Sequence, residues 1–136
     1  MPTTDKPRLL VVDDEPDMLD FVERVMRRRY QVTRCASAEE AVAELDRHAF
    51  EVLITDQKMP RVSGLELLAR IAGAHPSLVR VLLSGFTDVP DIQRAVERSQ
   101  VHAYVLKPVD SQRLLAAVAQ AYEVRDGAPF VPPEEG

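Results

Sequence analysis

Residues 9–16 read LLVVDDEP, in which four apolar side chains run directly into three carboxylates and a proline. The apolar half suits a strand in a protein interior, and the acidic half follows it at once. Two carboxylates about 4 Å apart repel each other by roughly 4 kcal/mol at an effective dielectric constant near 20. Acidic residues placed so close to a buried strand therefore need a compensating positive charge.

The bulk composition excludes several classes of protein. The chain has 136 residues, of which 46% are apolar and 29% charged, as is typical of one globular domain. The formal net charge of −5 argues against direct partners such as nucleic acid or an anionic membrane. No apolar run approaches the roughly 20 residues of a membrane span, and the first residues, MPTTDKPR, lack the apolar core of a secretory signal. We therefore expect a cytoplasmic protein.

Five short apolar runs alternate with five longer segments whose apolar residues recur at helical spacing. The runs cover residues 9–12, 31–35, 52–55, 79–83 and 103–106. Most are continuously apolar, which is typical of strands covered on both faces. Two S-x-x-E pairs have the spacing of a helix capping box, namely Ser37 with Glu40 and Ser63 with Glu66. The alternation predicts a parallel sheet with helices on both faces.

The two ends of the chain read differently from the middle. Residues 1–7 have no periodic pattern, and the tail GAPFVPPEEG contains three prolines. We expect a domain over residues 8–125, a flexible lead over residues 1–7, and a linker or disordered tail over residues 126–136.

Chemically useful side chains follow four of the five predicted strands. The first run ends in Asp13 and Asp14, the third in Asp56, the fourth in Ser84 and the fifth in Lys107. In open parallel sheets, ligands bind beyond the carboxyl ends of the strands. The second run carries no such residue, so we expect it at an edge of the sheet, away from the site.

The charges at these strand ends predict a metal ion. Lys107 alone cannot neutralise Asp13, Asp14 and Asp56. A hard divalent cation with oxygen ligands can, and Mg²⁺ is the usual choice where carboxylates, water and phosphate meet. A single acid after a strand is commonly just a helix cap, but acids on two strands with a hydroxyl and a lysine on two others are the parts needed for phosphoryl transfer.

The sequence resembles the receiver domain of two-component response regulators over residues 8–124. Four motifs carry the resemblance: VVDDEP at 11–16, LITDQKMPRVSG at 53–64, VLLSGF at 81–86 and AYVLKPVD at 103–110. The resemblance implies a doubly wound, flavodoxin-like α/β fold with five parallel strands in the order 2-1-3-4-5 and five helices. It also implies that a histidine kinase or phosphotransfer protein passes a phosphoryl group to one aspartate.

The family's roles are carried over residue by residue. Asp56 corresponds to the phosphoacceptor. Asp14 corresponds to a direct Mg²⁺ ligand, and Asp13 to a ligand acting through water. Asp56 and the backbone carbonyl of Lys58 complete the protein's share of the metal shell.

The remaining roles concern the response to phosphorylation. Ser84 and Lys107 would each contact a phosphoryl oxygen, and Tyr104 is the aromatic that turns inward when Ser84 moves. The Lys107–Pro108 bond is expected to be cis, and Gly64 opens the third helix where a side chain would crowd the loop after Asp56. The resemblance implies that a partner or output domain contacts the fourth helix, fifth strand and fifth helix.

Two other functions remain open at this point. A Mg²⁺-dependent phosphatase could use Asp14 or Asp56 as its nucleophile, although the haloacid-dehalogenase type needs an aspartate two residues beyond the nucleophile, and Asp14 is followed by Glu15 and Pro16. A receiver that binds its partner without phosphorylation is the second alternative. We expect a phosphoacceptor rather than an enzyme, with only slow self-catalysed phosphorylation and dephosphorylation.

Overall fold

Five parallel strands form one sheet within residues 6–133, the part of the chain that the computed structural model describes. The strands are β1 Arg8–Val12, β2 Gln31–Cys35, β3 Val52–Asp56, β4 Val79–Ser84 and β5 Ala103–Leu106. The helices are α1 Pro16–Met26, α2 Ala38–Arg47, α3 Gly64–Ala72, α4 Val89–Glu97 and α5 Ser111–Arg125, with a short 3₁₀ helix at Phe86–Asp88 before α4. The order β2-β1-β3-β4-β5 confirms the predicted flavodoxin-like, doubly wound fold.

Apart from β2, each described strand buries alternate side chains in two separate cores. On β1, Leu10 and Val12 pack with residues of α2, α3 and α4, whereas Leu9 and Val11 pack with residues of α1 and α5. Every residue of β3 and β4 is buried. Because both faces are covered, these strands are mostly apolar and do not alternate, with Arg80 as a buried exception within β4.

The second strand is the exception, and its position explains why it has no part in the site. β2 pairs only with β1 among the described strands, so it forms one edge of the sheet. Only Cys35 of its five residues is buried. This confirms the edge position predicted from its lack of chemically useful residues.

The two predicted capping boxes form to different degrees. At α3, the Ser63 hydroxyl accepts a hydrogen bond from the backbone N–H of Glu66, and the Glu66 carboxylate accepts one from the N–H of Ser63. At α2, Ser37 accepts from the N–H of Glu40, but the Glu40 carboxylate accepts from the N–H of Ala36 instead. The prediction of a complete box is therefore wrong at α2, where the carboxylate reaches one residue further back along the chain.

Gly64 lets the start of α3 lie directly against the end of β3. A Cβ atom at this position would collide with the carbonyl oxygen of Asp56 and would lie 2.9 Å from the Leu82 side chain. The N–H of Gly64 also donates to the carbonyl of Gln57 at 3.0 Å. The glycine therefore holds the loop after Asp56 in place, in agreement with the crowding expected from the sequence.

The ends of the chain lie partly outside this description. Residues 1–5 of the predicted lead and 134–136 of the predicted tail fall outside the described residues. Residues 128–133 form neither helix nor strand, and the domain limits stay a prediction. No described helix has the length and apolar character that a membrane crossing requires.

Replacing Gly64 with alanine is expected to lower the free energy of unfolding by about 1–3 kcal/mol, because the new methyl group has to displace backbone. The matched control is Gly73→Ala at the end of α3, where a Cβ would have no neighbour within 4 Å and the backbone is helical. That control should leave the stability unchanged or raise it slightly. Chemical denaturation of both variants measures the difference, and equal stabilities would contradict the close approach at Gly64.

Candidate functional site

Three carboxylates meet at the carboxyl edge of the sheet. Asp13 and Asp14 follow β1, and Asp56 is the last residue of the adjacent strand β3. One carboxylate oxygen from each residue lies within 4.8 Å of those of the other two. The parallel arrangement brings them together, because neighbouring parallel strands end at the same edge.

Two of these acids are removed from solvent. Asp13 is 1% exposed and Asp56 is 3% exposed, whereas Asp14 is exposed. The N–H of Glu15 donates to Asp13 Oδ1 at 2.9 Å, and the N–H of Lys58 donates to Asp56 Oδ2 at 3.1 Å. Both acids are thus held by the backbone of the loops that follow their strands.

Burial makes the negative charge at Asp13 costly. Burial, the largest cause, and the nearby charge of Asp56 together raise the pKa of Asp13 to about 7, although the hydrogen bond from the Glu15 N–H partly opposes them. Lys107 compensates Asp56 directly, since its Nζ contacts Asp56 Oδ1. Burial lowers the pKa of Lys107, but the hydrogen bond and charge of Asp56 outweigh it and leave that pKa above its ordinary value.

The site has the properties of a pocket for a hard cation. Within the described residues, Asp13 Oδ2 is buried and receives no hydrogen bond, although buried oxygens of this kind are nearly always paired. Two further carboxylates stand close to it. An oxygen-only ligand set with one exposed member, Asp14, suits Mg²⁺, which keeps several waters when protein-bound.

The hydroxyl of Ser84 is turned toward the next helix. Ser84 is the last residue of β4, and its Oγ donates to Asp88 Oδ2 at 2.7 Å. Asp88 precedes α4 but makes no side-chain capping bond to that helix. The structure therefore brings Ser84 to the same edge as Asp56 while its hydroxyl is hydrogen-bonded to Asp88.

An arginine of α5 holds the backbone on either side of Lys107. Arg113 donates to the carbonyls of Leu106 and Pro108, at 2.7 and 2.6 Å. The Lys107–Pro108 peptide is cis, as expected from the resemblance. The two hydrogen bonds from Arg113 therefore fix the backbone of Leu106 and Pro108, the residues on either side of Lys107.

Tyr104 lies on β5, two strands away from Asp56 in the sheet. It is 5% exposed, and its ring stacks on Phe130 of the C-terminal tail. The side chain of Lys58, by contrast, is exposed, and a metal-binding role for its carbonyl stays a prediction.

Three supporting residues were not predicted: Asp88, Arg113 and Gln57. Gln57 Oε1 accepts from the N–H of Leu65 at 2.8 Å and so ties the loop after Asp56 to α3. Arg113 carried a usable signal, because a cation in the first turn of a helix opposes the helix dipole and needs another reason to be there. The sequence carried no comparable signal for Asp88, because an acidic residue before a helix ordinarily indicates a helix cap.

Comparison with known proteins identifies the family. The model of the response regulator receiver domain matches residues 9–119. The hydrogenase transcriptional regulatory protein HoxA of Cupriavidus necator is 37% identical over 117 residues, which cover 86% of this chain and 24% of that protein. An uncharacterized 14.6 kDa protein of Leptolyngbya boryana is 32% identical over 123 residues, covering 88% of this chain and 93% of that protein.

Comparison with solved structures identifies the same family. A response regulator receiver domain protein from Clostridium thermocellum superimposes with a TM-score of 0.79 and 27% identity, covering 88% of this chain and 97% of that one. The chain spans about a quarter of the length of HoxA. With the doubly wound sheet and the acidic cluster at its carboxyl edge, these matches show that the chain belongs to the response regulator receiver domain family, a family of signalling domains of two-component systems rather than classical enzymes.

Proposed function

We propose that this chain is a cytoplasmic phosphoacceptor switch. Asp56 would receive a phosphoryl group from the phosphohistidine of a histidine kinase or phosphotransfer protein, in the presence of Mg²⁺. The resulting change would alter the surface formed by α4, β5 and α5, which a partner or output domain reads. The observation that carries the proposal is the grouping of Asp13, Asp14 and Asp56 beside Lys107 at one edge of the sheet.

The transfer step uses the carboxylate as a nucleophile. An Asp56 oxygen attacks phosphorus, the P–N bond of phosphohistidine breaks, and its electron pair stays on the departing imidazole. An acyl phosphate forms on Asp56. Asp13, Asp14, Asp56 and the carbonyl of Lys58 would hold Mg²⁺, which when bound supplies positive charge at the phosphoryl oxygens.

The other residues act on the product. The Lys107 ammonium already contacts Asp56 and can stay beside the added negative charge. Ser84 can donate its hydroxyl to a phosphoryl oxygen only by leaving Asp88, because a hydroxyl has one proton to donate. Phosphorylation would therefore compete with the Ser84–Asp88 bond and favour a second arrangement of the loop.

Acetyl phosphate with Mg²⁺ should add one phosphoryl group per chain, labile to hydroxylamine, and Asp56→Asn should abolish the addition. The control is Asp46→Asn, which removes an exposed carboxylate from α2. Mass spectrometry of the intact chain measures both. Multiple turnover of p-nitrophenyl phosphate would instead indicate the phosphatase alternative, and Mg²⁺ binding without any adduct would indicate the phosphorylation-independent one.

Without Mg²⁺, Asp13→Asn is expected to raise the free energy of unfolding by about 1–3 kcal/mol, because it removes a buried charge and keeps the acceptor for Glu15. Mg²⁺ at ten times its Kd should stabilise the unchanged chain by about 1.4 kcal/mol and the variant much less. Asp17→Asn, in the exposed first turn of α1, is the control. Denaturation with EDTA or Mg²⁺ measures the effect, and equal responses in all three chains would exclude Asp13 from the metal site.

Asp88→Ala should raise the rate of phosphorylation by acetyl phosphate about three- to tenfold, which corresponds to about 0.6–1.4 kcal/mol, since it frees the Ser84 hydroxyl. Asp91→Ala removes another carboxylate from the first turn of α4 and controls for charge alone. Initial rates of adduct formation measure the effect. Equal acceleration in both variants would show that the negative charge, and not the bond to Ser84, limits the rate.

A further inference from the structure

The C-terminal tail turns back along α5. Gly127 has a φ of +112°, a conformation that favours glycine, and the N–H of Ala128 donates to the carbonyl of Glu123 at 2.9 Å. Three residues further on, the N–H of Val131 donates to Gln120 Oε1 at 3.3 Å. The chain therefore reverses after the helix and runs toward the carboxyl edge of the sheet.

The tail places an aromatic ring on Tyr104. The rings of Phe130 and Tyr104 stack with centroids 5.6 Å apart and an angle of 24° between their planes. Phe130 is half-buried and packs against the core cluster that contains Tyr104, Ile92 and Ala95. It is the one aromatic residue of the tail GAPFVPPEEG.

The same stretch borders a groove that reaches the site. The groove has a volume of about 680 Å³, and its lining includes Phe86, Tyr104, Lys107, Arg113, Gln120 and Pro133. It thus extends from the tail to the lysine that contacts Asp56. A segment lying there can respond to changes at Tyr104 and at the phosphoryl site together.

We infer that the tail segment Pro129–Pro133 is an intramolecular ligand of the α4–β5–α5 surface in the unphosphorylated chain, and that phosphorylation of Asp56 releases it. The inference rests on the proposed function. In this arrangement the Ser84 hydroxyl donates its one proton to Asp88, so it does not donate to a group on Asp56.

Tyr104 pairs with Leu82, two residues before Ser84. Phe86, two residues after Ser84, lines the same groove as Tyr104. A turn of Ser84 toward a phosphoryl group therefore shifts the wall of that groove, and Tyr104 leaves Phe130.

The coupling works in both directions. A segment that binds the resting arrangement better stabilises it, and by linkage its removal favours the phosphorylated arrangement by the same factor. The tail therefore both occupies the surface that a partner needs and opposes phosphorylation. Any partner of that surface has to displace Phe130 from Tyr104.

Removing the ring is expected to accelerate phosphorylation. Phe130→Ala, and a chain ending at Gly127, should react with acetyl phosphate and Mg²⁺ about two- to tenfold faster than the full chain, the range expected for one aromatic pair. Phe130→Tyr keeps the ring and should react at the unchanged rate. Val131→Ala is the second control, because that side chain is 60% exposed and its backbone hydrogen bond is retained.

A double-mutant cycle assigns the effect to the Tyr104 contact. In a Tyr104→Ala background, Phe130→Ala should cause no further acceleration, whereas independent effects would multiply. Phe130→Trp provides a direct reporter, since the chain has no tryptophan. Its emission should shift to longer wavelength on phosphorylation, as the indole leaves Tyr104 for water.

The outcomes separate this inference from the proposed function. The tail's role is overturned, and the switch left intact, if the tryptophan emission of the phosphorylated Phe130→Trp variant does not change. The same conclusion follows if neither Phe130→Ala nor truncation affects the rate. If no phosphoryl group reaches Asp56 in the full chain, the proposed function fails and the release of the tail fails with it.

Discussion

Crowding of negative charge at one edge of the sheet is the constraint on which the rest of the molecule depends. Asp13 and Asp56 are almost completely buried, yet only one ammonium group, that of Lys107, contacts either of them among the described residues. The elevated pKa of Asp13 and its unpaired Oδ2 express the same imbalance. A cation held there would relieve repulsion that the fold has already imposed.

The packing of the sheet holds the repelling carboxylates close together. The contacts that phosphorylation would change lie on the next two strands, β4 and β5. Two apolar cores, one against α1 and α5 and one against α2, α3 and α4, hold β1 and β3 side by side. On β4, the Ser84 hydroxyl donates its one proton to Asp88, and the proposed function would redirect that proton to a phosphoryl group. On β5, Tyr104 packs against Phe130, which belongs to a segment without helix or strand. Contacts of this kind are individually weak, so the doubly charged group that we propose at Asp56 would outweigh them.

The sequence by itself determined the class of fold and the set of acids, because both follow from patterns that are local along the chain. Continuous apolar runs identify covered strands, and an acid directly after a run must lie at the strand's carboxyl end. The order β2-β1-β3-β4-β5 and the family also followed from the motifs. The complete capping box at Ser63 was readable for the same reason, although at Ser37 the carboxylate of Glu40 accepts from the N–H of Ala36 instead.

Only the tertiary structure decided which partners the polar and aromatic groups select. The pairing of Ser84 with Asp88 depends on the path of the intervening 3₁₀ helix, and the stacking of Phe130 on Tyr104 joins residues far apart in the chain. A tail rich in proline has no periodicity to mark a binding segment, so composition predicted a linker or disorder there. Rotamers and loop paths are set by the free energy of the whole packed molecule, and local spacing carries no information about them.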